Sequence, residues 1–557
     1  MRYFIQTTLV SSMMALSGMV WADVVPNAGQ LLQQQQPLQP HQPQTQVQLE
    51  TAQQNTPALD QQQTIQIQQI RIVGNQSFRT EQLHALVADA EGKTLTLAQL
   101  QQLCQRVSQY YQQHGYPYSR AYLPAQTLSN GQVTIAILEA TYDQIQYNNQ
   151  SRISPKLVEK TLAPLHSGDV IDGKTLEQQI KLLNRLDGVK TRNIIQAGQK
   201  TGSSDLMVDI QPTPLFTGYV GADNYGNEYT REARFNAGIA AHNLLGLGDQ
   251  LSLDAMTSGK LNYGRLGYEA TVNGQGTRLG ASYSDLSYKL GKEYKVLDAK
   301  GNAQQASLWL TQPVLLTNQS EVLLTAQYDY KRLEDDIEQV DVYRHRDLHI
   351  GQLRLNATQY DDFASGGLNQ LGVATEIGHV NYKNALAKKN DQATAQTQGE
   401  FYSVSANLSR LQNLGSTNTQ LYTAIQAQYS PDNLDSSEQF SVGGVYTVAG
   451  YENSVLSGSS GYYAVAELRQ NLWSTAQNQL IGKVYIDTAE VQHQAKPWAG
   501  LTGDNREQIH SAGIGFNWAN ASQWTAQAKV GFAIGGQPDS VDEKHDAETW
   551  LVLSKHF

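Results

Sequence analysis

The sequence predicts a transmembrane antiparallel β-barrel of about 16 strands, preceded by two β-α-α-β-β units and an N-terminal helix on a linker. Three observations carry this. From about residue 216 to 557 the chain runs in short alternating segments separated by Gly, Asn and Asp turns, as strands that meet lipid on one face and water on the other must. No apolar run after the leader reaches the roughly 20 residues that a spanning helix needs. Finally, charged residues are 16%, below the usual quarter, while 29 tyrosines and 45 glycines are abundant.

The N-terminus reads as a secretory signal over 1–22. Arg2 supplies the positive start, Thr7 to Val20 is mostly apolar, and Val20-Trp21-Ala22 offers small residues for cleavage before Asp23. Residues 23–36 follow as a short helix with Pro26 near its first turn, presenting Leu31 and Leu32. Residues 37–63 place Pro37, Pro40, Pro43 and Pro57 among glutamines, too polar to bury a core, and read as a flexible tether. A short helix on a long tether makes sense if the helix docks somewhere distant.

Residues 64–140 form the first α/β unit. Ile65 and Ile67, then Ile70 and Ile72 after a phase slip, predict a strand ending at Gly74-Asn75. Leu83, Leu86 and Val87, then Leu97, Leu100, Leu103, Val107 and Tyr111, have helical spacing. Gly115 and Pro117 close the second helix, and Val133, Ile135 and Ile137 alternate as a strand. The same order recurs over 141–213, through Leu157, Val158 and Leu162, then Leu176, Ile180, Leu183 and Leu186, then Leu206, Val208 and Ile210. Two copies in tandem predict two like domains. Residues 214–557 are the barrel, ending on the aromatic Phe557, with Lys555 breaking the apolar alternation.

Several functions are excluded or disfavoured. A net charge of −11 without a basic cluster argues against nucleic acid as a partner. Cys104 is the only cysteine, so no disulfide closes within the chain. Gly168-Asp169-Val170-Ile171-Asp172-Gly173-Lys174-Thr175 matches a phosphate-binding loop letter by letter, but a helix rather than a buried strand precedes it. It reads as the connection between two helices. Histidines lack ligand spacing, and carboxylate pairs such as Asp335-Asp336 read as solvated turn or loop residues. No catalytic, cofactor or metal constellation is found.

The stretch Phe440 to Tyr451 is the most informative. It lies between alternating strands, yet Gly443 and Gly444 sit among aromatics, which suits a loop folded against a wall. Its Phe440-Ser441-Val442-Gly443-Gly444 entry, with Tyr446-Thr447-Val448, resembles the lumen loop of TpsB transporters, the ShlB/FhaC/HecB family of two-partner secretion within the Omp85 superfamily. Tyr283 to Gly291, Gln312 to Leu315 and Tyr328 to Leu333 are similar to that family's successive strands. The tandem units resemble its POTRA domains, so the resemblance covers essentially the whole chain after the leader; its general look is nearest the CdiB-like subset.

The family's loop carries V-R-G-Y/F and a later strand F-x-D-x-G, whose aspartate meets the loop arginine. Here Val448-Ala449-Gly450-Tyr451 has Ala449 for the arginine, and Tyr485-Ile486-Asp487-Thr488-Ala489 keeps only the aspartate. Parity places Lys483, Tyr485 and Asp487 on the lumen face, with Val484 and Ile486 toward lipid, and puts Glu467 and Arg469 in the lumen too. The expectation is therefore that Arg469 or Lys483 neutralises Asp487, and that packing of Tyr446 and Tyr451 anchors the loop.

The resemblance implies an outer-membrane pore that exports a large β-helical TpsA-type exoprotein (a haemolysin, adhesin or contact-dependent growth-inhibition toxin) without nucleotide hydrolysis. The POTRA-like units would lie in the periplasm and the helix would plug the resting pore. Lipid, lipopolysaccharide and the barrel assembly machinery are the other expected partners, and the protein is expected to act as a monomer. The alternatives are a BamA-like insertase and a passive diffusion porin.

Overall fold

A computed structural model describes residues 26–35, 49–51, 64–127, 130–536, 538, 541 and 546–557. The predicted leader and most of the Gln/Pro-rich tether lie outside these. A short helix, α1 (Ala28–Gln33), and a three-residue strand, β1 (Leu49–Thr51), come first.

The first unit comprises β2 (Thr64–Gln66), β3 (Gln69–Val73), α2 (Thr80–Ala85), β4 (Thr94–Thr96), α3 (Leu97–Gln113), β5 (Arg120–Tyr122) and β6 (Gln132–Leu138). The phase slip between Ile67 and Ile70 is a break between two strands, not an irregularity within one. β3 pairs with β6, while β2 turns away to pair with β4. Helix α3 starts with a capping box between Thr96 and Gln99, and its apolar stripe of Leu100, Leu103, Val107 and Tyr111 is buried against Ile70, Ile72, Val133 and Ile135.

Glu139 ties this unit together. It accepts from Gln76 N (2.8 Å), Ser77 N (2.9 Å), Ser77 Oγ (2.9 Å) and Tyr111 OH (2.6 Å). Burial alone would raise its pKa, but the Tyr111 hydroxyl and the backbone donors outweigh burial and hold the carboxyl below the ordinary glutamate range. A depressed native pKa gives stability that is present above the unfolded value and lost as pH falls through the native one. Amide exchange on the full chain should therefore show 76–77 losing protection on acidification below the ordinary glutamate range, and E139Q should lack that pH dependence. An unchanged profile in E139Q would remove Glu139 from this role.

The second unit repeats the order with β7 (Thr141–Asn149), α4 (Pro155–Leu162), α5 (Gly173–Asn184), β8 (Val189–Ala197) and β9 (Ser203–Pro212). Its sheet runs β1-β8-β9-β7, so the tether's own strand lies parallel along β8, Leu49 opposite Asn193. The phosphate-loop look-alike is the α4–α5 connection, and Asp172 caps α5 by accepting from Lys174 N and Thr175 N. The amides that would cradle phosphate are thus already engaged.

This unit rests on one end of the barrel. Arg278 Nη2 meets Asp187 (2.6 Å), Arg185 pairs with Glu321, and Ser154 N donates to Gly246 O (2.8 Å). Gly274 has no room for a side chain beside the Lys160 carbonyl.

The barrel strands are β10 (Phe216–Asp223), β11 (Arg234–His242), β12 (Gln250–Thr257), β13 (Leu261–Thr271), β14 (Arg278–Lys289), β15 (Ala299–Leu316), β16 (Ser320–Ile337), β17 (Val342–Asp361), β18 (Gly367–Tyr382), β19 (Gly399–Asn413) and β20 (Thr419–Tyr429). A small hairpin, β21 (Phe440–Val442) and β22 (Leu456–Gly458), interrupts the series. β23 (Ser460–Ser474), β24 (Asn478–Gln492), β25 (Arg506–Asn520), β26 (Trp524–Ile534) and β27 (Ala547–His556) complete it. Sixteen of these close into one antiparallel barrel when β27 pairs with β10. Phe557 extends the seam by exchanging backbone bonds with Gly218, 2.8 and 2.9 Å.

Alternation decides the two faces. Phe235, Ile239, Leu253, Leu266, Leu308 and Ile377 are exposed outward, where a lipid band requires apolar surface. Closure leaves no free edge along the wall, satisfying backbone groups that a bilayer core cannot hydrate.

Candidate functional site: the occupied lumen

Among the described residues, two segments of the chain fill the barrel. One is α1. Its N-cap Asn27 Oδ1 accepts from Gly29 N (3.0 Å) and Gln30 N (3.2 Å), and Ala28 N donates to Asp335 Oδ1 on β16 (2.7 Å). These acceptors satisfy amides that the first helical turn leaves free. Leu31 and Leu32 are buried among Leu286, Tyr288, Leu333, Leu348 and Phe401 of the wall. The helix is shorter than 23–36, ending at Gln33 with Gln34 as its cap.

The other segment is the 30-residue connection from β20 to β23, residues 430–459, which folds inward rather than outward. It meets α1 directly. Ser436 Oγ donates to Asn27 Oδ1 (2.7 Å), Gln33 Nε2 to Gln439 O (3.2 Å), and Gln34 Nε2 to Ser454 Oγ (3.1 Å). A Cβ on Gly29 would stand 2.7 Å from Ser437 N, so helix and loop are in backbone contact.

Arg346 on β17 holds this junction. Its side chain is fully buried, bonded to Asp335 Oδ2 (2.8 Å), to Asp435 and to Ser436 Oγ (3.1 Å). Asp335 also accepts from Tyr288 OH (2.7 Å). One carboxylate thus touches wall, helix and, through Arg346, the loop. The reading of Asp335-Asp336 as solvated turn residues is corrected. Both lie within β16, and their parity sends Asp335 to the lumen core while Asp336 pairs with His345 (2.7 Å). Lys331 and Glu438 form a second buried wall-to-loop ion pair at 2.7 Å.

Further along, Gly443 and Gly444 adopt φ of +105° and +95°. Side chains there would strike Glu452 O and Asn453, so only glycine permits this turn. Val448 and Ala449 have no exposed surface and Tyr451 is buried. Val442, Val448, Tyr451 and Leu456 pack on Tyr463, Ala489, Val491 and Ile509 of the wall. Gly450 N donates to Ser511 Oγ (3.1 Å), Trp550 Nε1 donates to Ala449 O (2.8 Å), and Ala449 N points at Asp487 Oδ2 at the long distance of 3.5 Å.

On the wall, Tyr485 and Asp487 are buried toward the lumen, while Val484 and Ile486 are exposed outward. The proposed neutralisation of Asp487 by Arg469 or Lys483 does not occur. Arg469 pairs with Glu467 (2.6 Å) and stacks over Tyr422, and Lys483 also faces Glu467 (3.5 Å). The reason is register. Arg469 and Lys483 stand opposite each other across β23 and β24, with Glu467 two residues along, whereas Val465 stands opposite Asp487. Ser511 donates to Asp487, and the cation whose charge bears on it is Lys529 of β26.

Tyr446 is corrected as well. It is half-exposed, edge-on to Tyr225 at 5.9 Å, so anchoring falls mainly to Val448, Ala449, Gly450 and Tyr451. Sequence reasoning missed Arg346, Ser511, Lys529 and Trp550. Trp550 had a usable signal, since it alternates with the lipid-facing Leu551 and Leu553.

Comparison with known proteins fits this architecture. The family model described as haemolysin secretion/activation protein ShlB/FhaC/HecB matches residues 202–517, and that of the ShlB-type POTRA domain matches 65–140. The heme/hemopexin transporter protein HuxB of Haemophilus influenzae is 26% identical over 487 residues, covering 87% of this chain and 85% of HuxB. The outer membrane transporter CdiB of Dickeya dadantii is 25% identical over 492 residues, 82% of this chain and 81% of that protein. Among solved structures, CdiB from Escherichia coli has a TM-score of 0.70 at 21% identity, covering 91% and 93% of the two chains. BamA from Haemophilus ducreyi lacking POTRA domains 1–3 scores 0.52 at 16% identity, covering 88% and 100%; both structures speak to the fold. With more than half its length matched by the family model, a closed 16-stranded barrel and a ShlB-type POTRA domain before it, the chain belongs to the ShlB/FhaC/HecB family of outer-membrane two-partner secretion transporters.

Proposed function

We propose that this chain is a gated export pore for one large TpsA-type exoprotein, held closed at rest by α1 and the 430–459 loop. Transporters of this family pair with such exoproteins in the Gram-negative outer membrane. The observation that carries the gating is the occupied lumen, in which helix, loop and wall share the Asp335–Arg346–Asp435 network. A diffusion porin has no need of a helix packed across its own bore, or of two periplasmic units. Family membership also favours the transporter over the insertase.

The exoprotein enters unfolded from the periplasm, adds as a strand to a sheet edge of the POTRA units, displaces α1 and folds into a β-helix outside. That external folding gives direction without nucleotide hydrolysis. Relatives named as a heme/hemopexin transporter and a hemolysin transporter support the reading that such barrels serve different cargoes. The outward apolar band contacts lipid and lipopolysaccharide, the barrel assembly machinery inserts it, and the pore works as a monomer. The chain acts as a transporter without catalysis.

Deleting residues 26–36 should raise single-channel conductance severalfold in planar bilayers, because Leu31, Leu32 and their polar contacts leave the bore. Conductance equal to wild type would refute the plug.

A further inference from the structure

We propose that Lys529 is a positioning residue that seats the lumen loop against the wall, acting together with its cross-strand neighbour Trp550. The inference rests on the gated-pore reading and names the side chains that keep the loop in place.

Lys529 and Trp550 stand directly opposite each other on β26 and β27. Each donates to a backbone carbonyl of the same loop: Lys529 Nζ to Val445 O at 3.2 Å, Trp550 Nε1 to Ala449 O at 2.8 Å. The two carbonyls bracket the turn from Val445 to Ala449, so the pair grips it at both ends. On the other side of Lys529 the residue facing it on β25 is Gly515, which brings no side-chain donor of its own.

The ammonium is also held from its other side. It lies 4.2 Å over the Tyr485 ring, an arrangement worth more where water is excluded. Its charge bears on Asp487 and Glu467, two lumen carboxylates of this wall, while Lys483 and Arg469 face Glu467. Asp487 in turn receives Ser511 and points at Ala449 N. The loop itself carries no cation between Phe440 and Tyr451, so the positive charge of this contact comes from the wall. Gly531, two residues on from Lys529, has no space for a side chain beside the Ala449 backbone, which fixes how close loop and strand must come.

The test uses the full-length chain in detergent, with folding verified by heat-modifiable mobility, and reads amide exchange at 445–451. K529M should speed exchange there by about tenfold or more, the scale of losing a hydrogen bond from a charged donor, with β24 to β27 unchanged. K529R, which keeps charge and donors, should stay close to wild type, and K529Q is the second variant should K529M fold poorly. Unchanged loop exchange in K529M or K529Q, or an equal rise in K529R, would overturn the proposal. Conductance of the same variants speaks separately to gating: a freed loop with wild-type conductance would leave Lys529 as the seat and remove the loop from the gate.

Discussion

Replacing Arg346 by methionine should be the most damaging single change in the barrel. The guanidinium pairs with both Asp335 and Asp435, and its removal leaves two carboxylates in the packed lumen without that shared partner. Breaking a buried pair from one side costs about 3–5 kcal/mol, well beyond the worth of an exposed ion pair. The damage has a direction. Asp335 would lose its hold on the loop while still accepting from Ala28, so helix and loop would come apart at their junction. Expected results are a lower heat-modifiability temperature and a higher conductance. The triple variant R346M/D335N/D435N should recover part of the temperature, because a neutral network is less costly than a half-removed charged one. R346M with wild-type thermal behaviour would show that the network is solvated and unimportant.

Gly450→Ala should be nearly as severe, by a different route. A Cβ at this position would stand 2.7 Å from Ser511 Cβ, 2.8 Å from Ala533 N and 2.9 Å from Phe532 C. Two of these are backbone atoms of β26, which is laddered on both sides and has little freedom to yield. Overpacking of this kind costs about 1–3 kcal/mol. Because the loop is the movable partner, the cost falls on the seated state and reduces its population roughly 5- to 150-fold. The Ala449–Trp550 and Gly450–Ser511 bonds would be lost together. Secretion of the partner should fall and channel noise should rise, while barrel heat-modifiability stays near wild type. A G450A protein that secretes normally would mean that the loop need not touch β26.

Local patterning explains what could be read from the chain. Period-two alternation identified the wall and its lumen face at Tyr485 and Asp487, because lipid outside and polar packing inside impose that period on every strand. Helical spacing at Leu100, Leu103, Val107 and Tyr111 identified α3 for a similar reason. Contacts across the lumen were not legible. Ser511, Lys529 and Trp550 come from three successive strands, and only their staggered register brings them to one loop. Asp335 shows the same limit. Its Asp-Asp-Ile setting resembles a turn, but β16 continues to Ile337, farther than a strand needs merely to cross a bilayer. The ion-pair expectation failed because four residues along one strand separate Lys483 from Asp487 by about 13 Å, whereas Glu467, opposite Tyr485, lies diagonal to Lys483.

The pairing of β1 with β8 adds a mechanical consequence. Between the last residue of α1 and Leu49 the backbone can reach at most about 58 Å, and its two ends are fastened to different bodies, lumen and second periplasmic unit. That makes the segment a leash of fixed maximum length. An incoming strand that takes the β8 edge must first unfasten β1, and the released length becomes slack at the helix. On the proposed mechanism, arrival of cargo at the periplasmic sheet and freedom of the stopper to move would then be one event, transmitted by chain length.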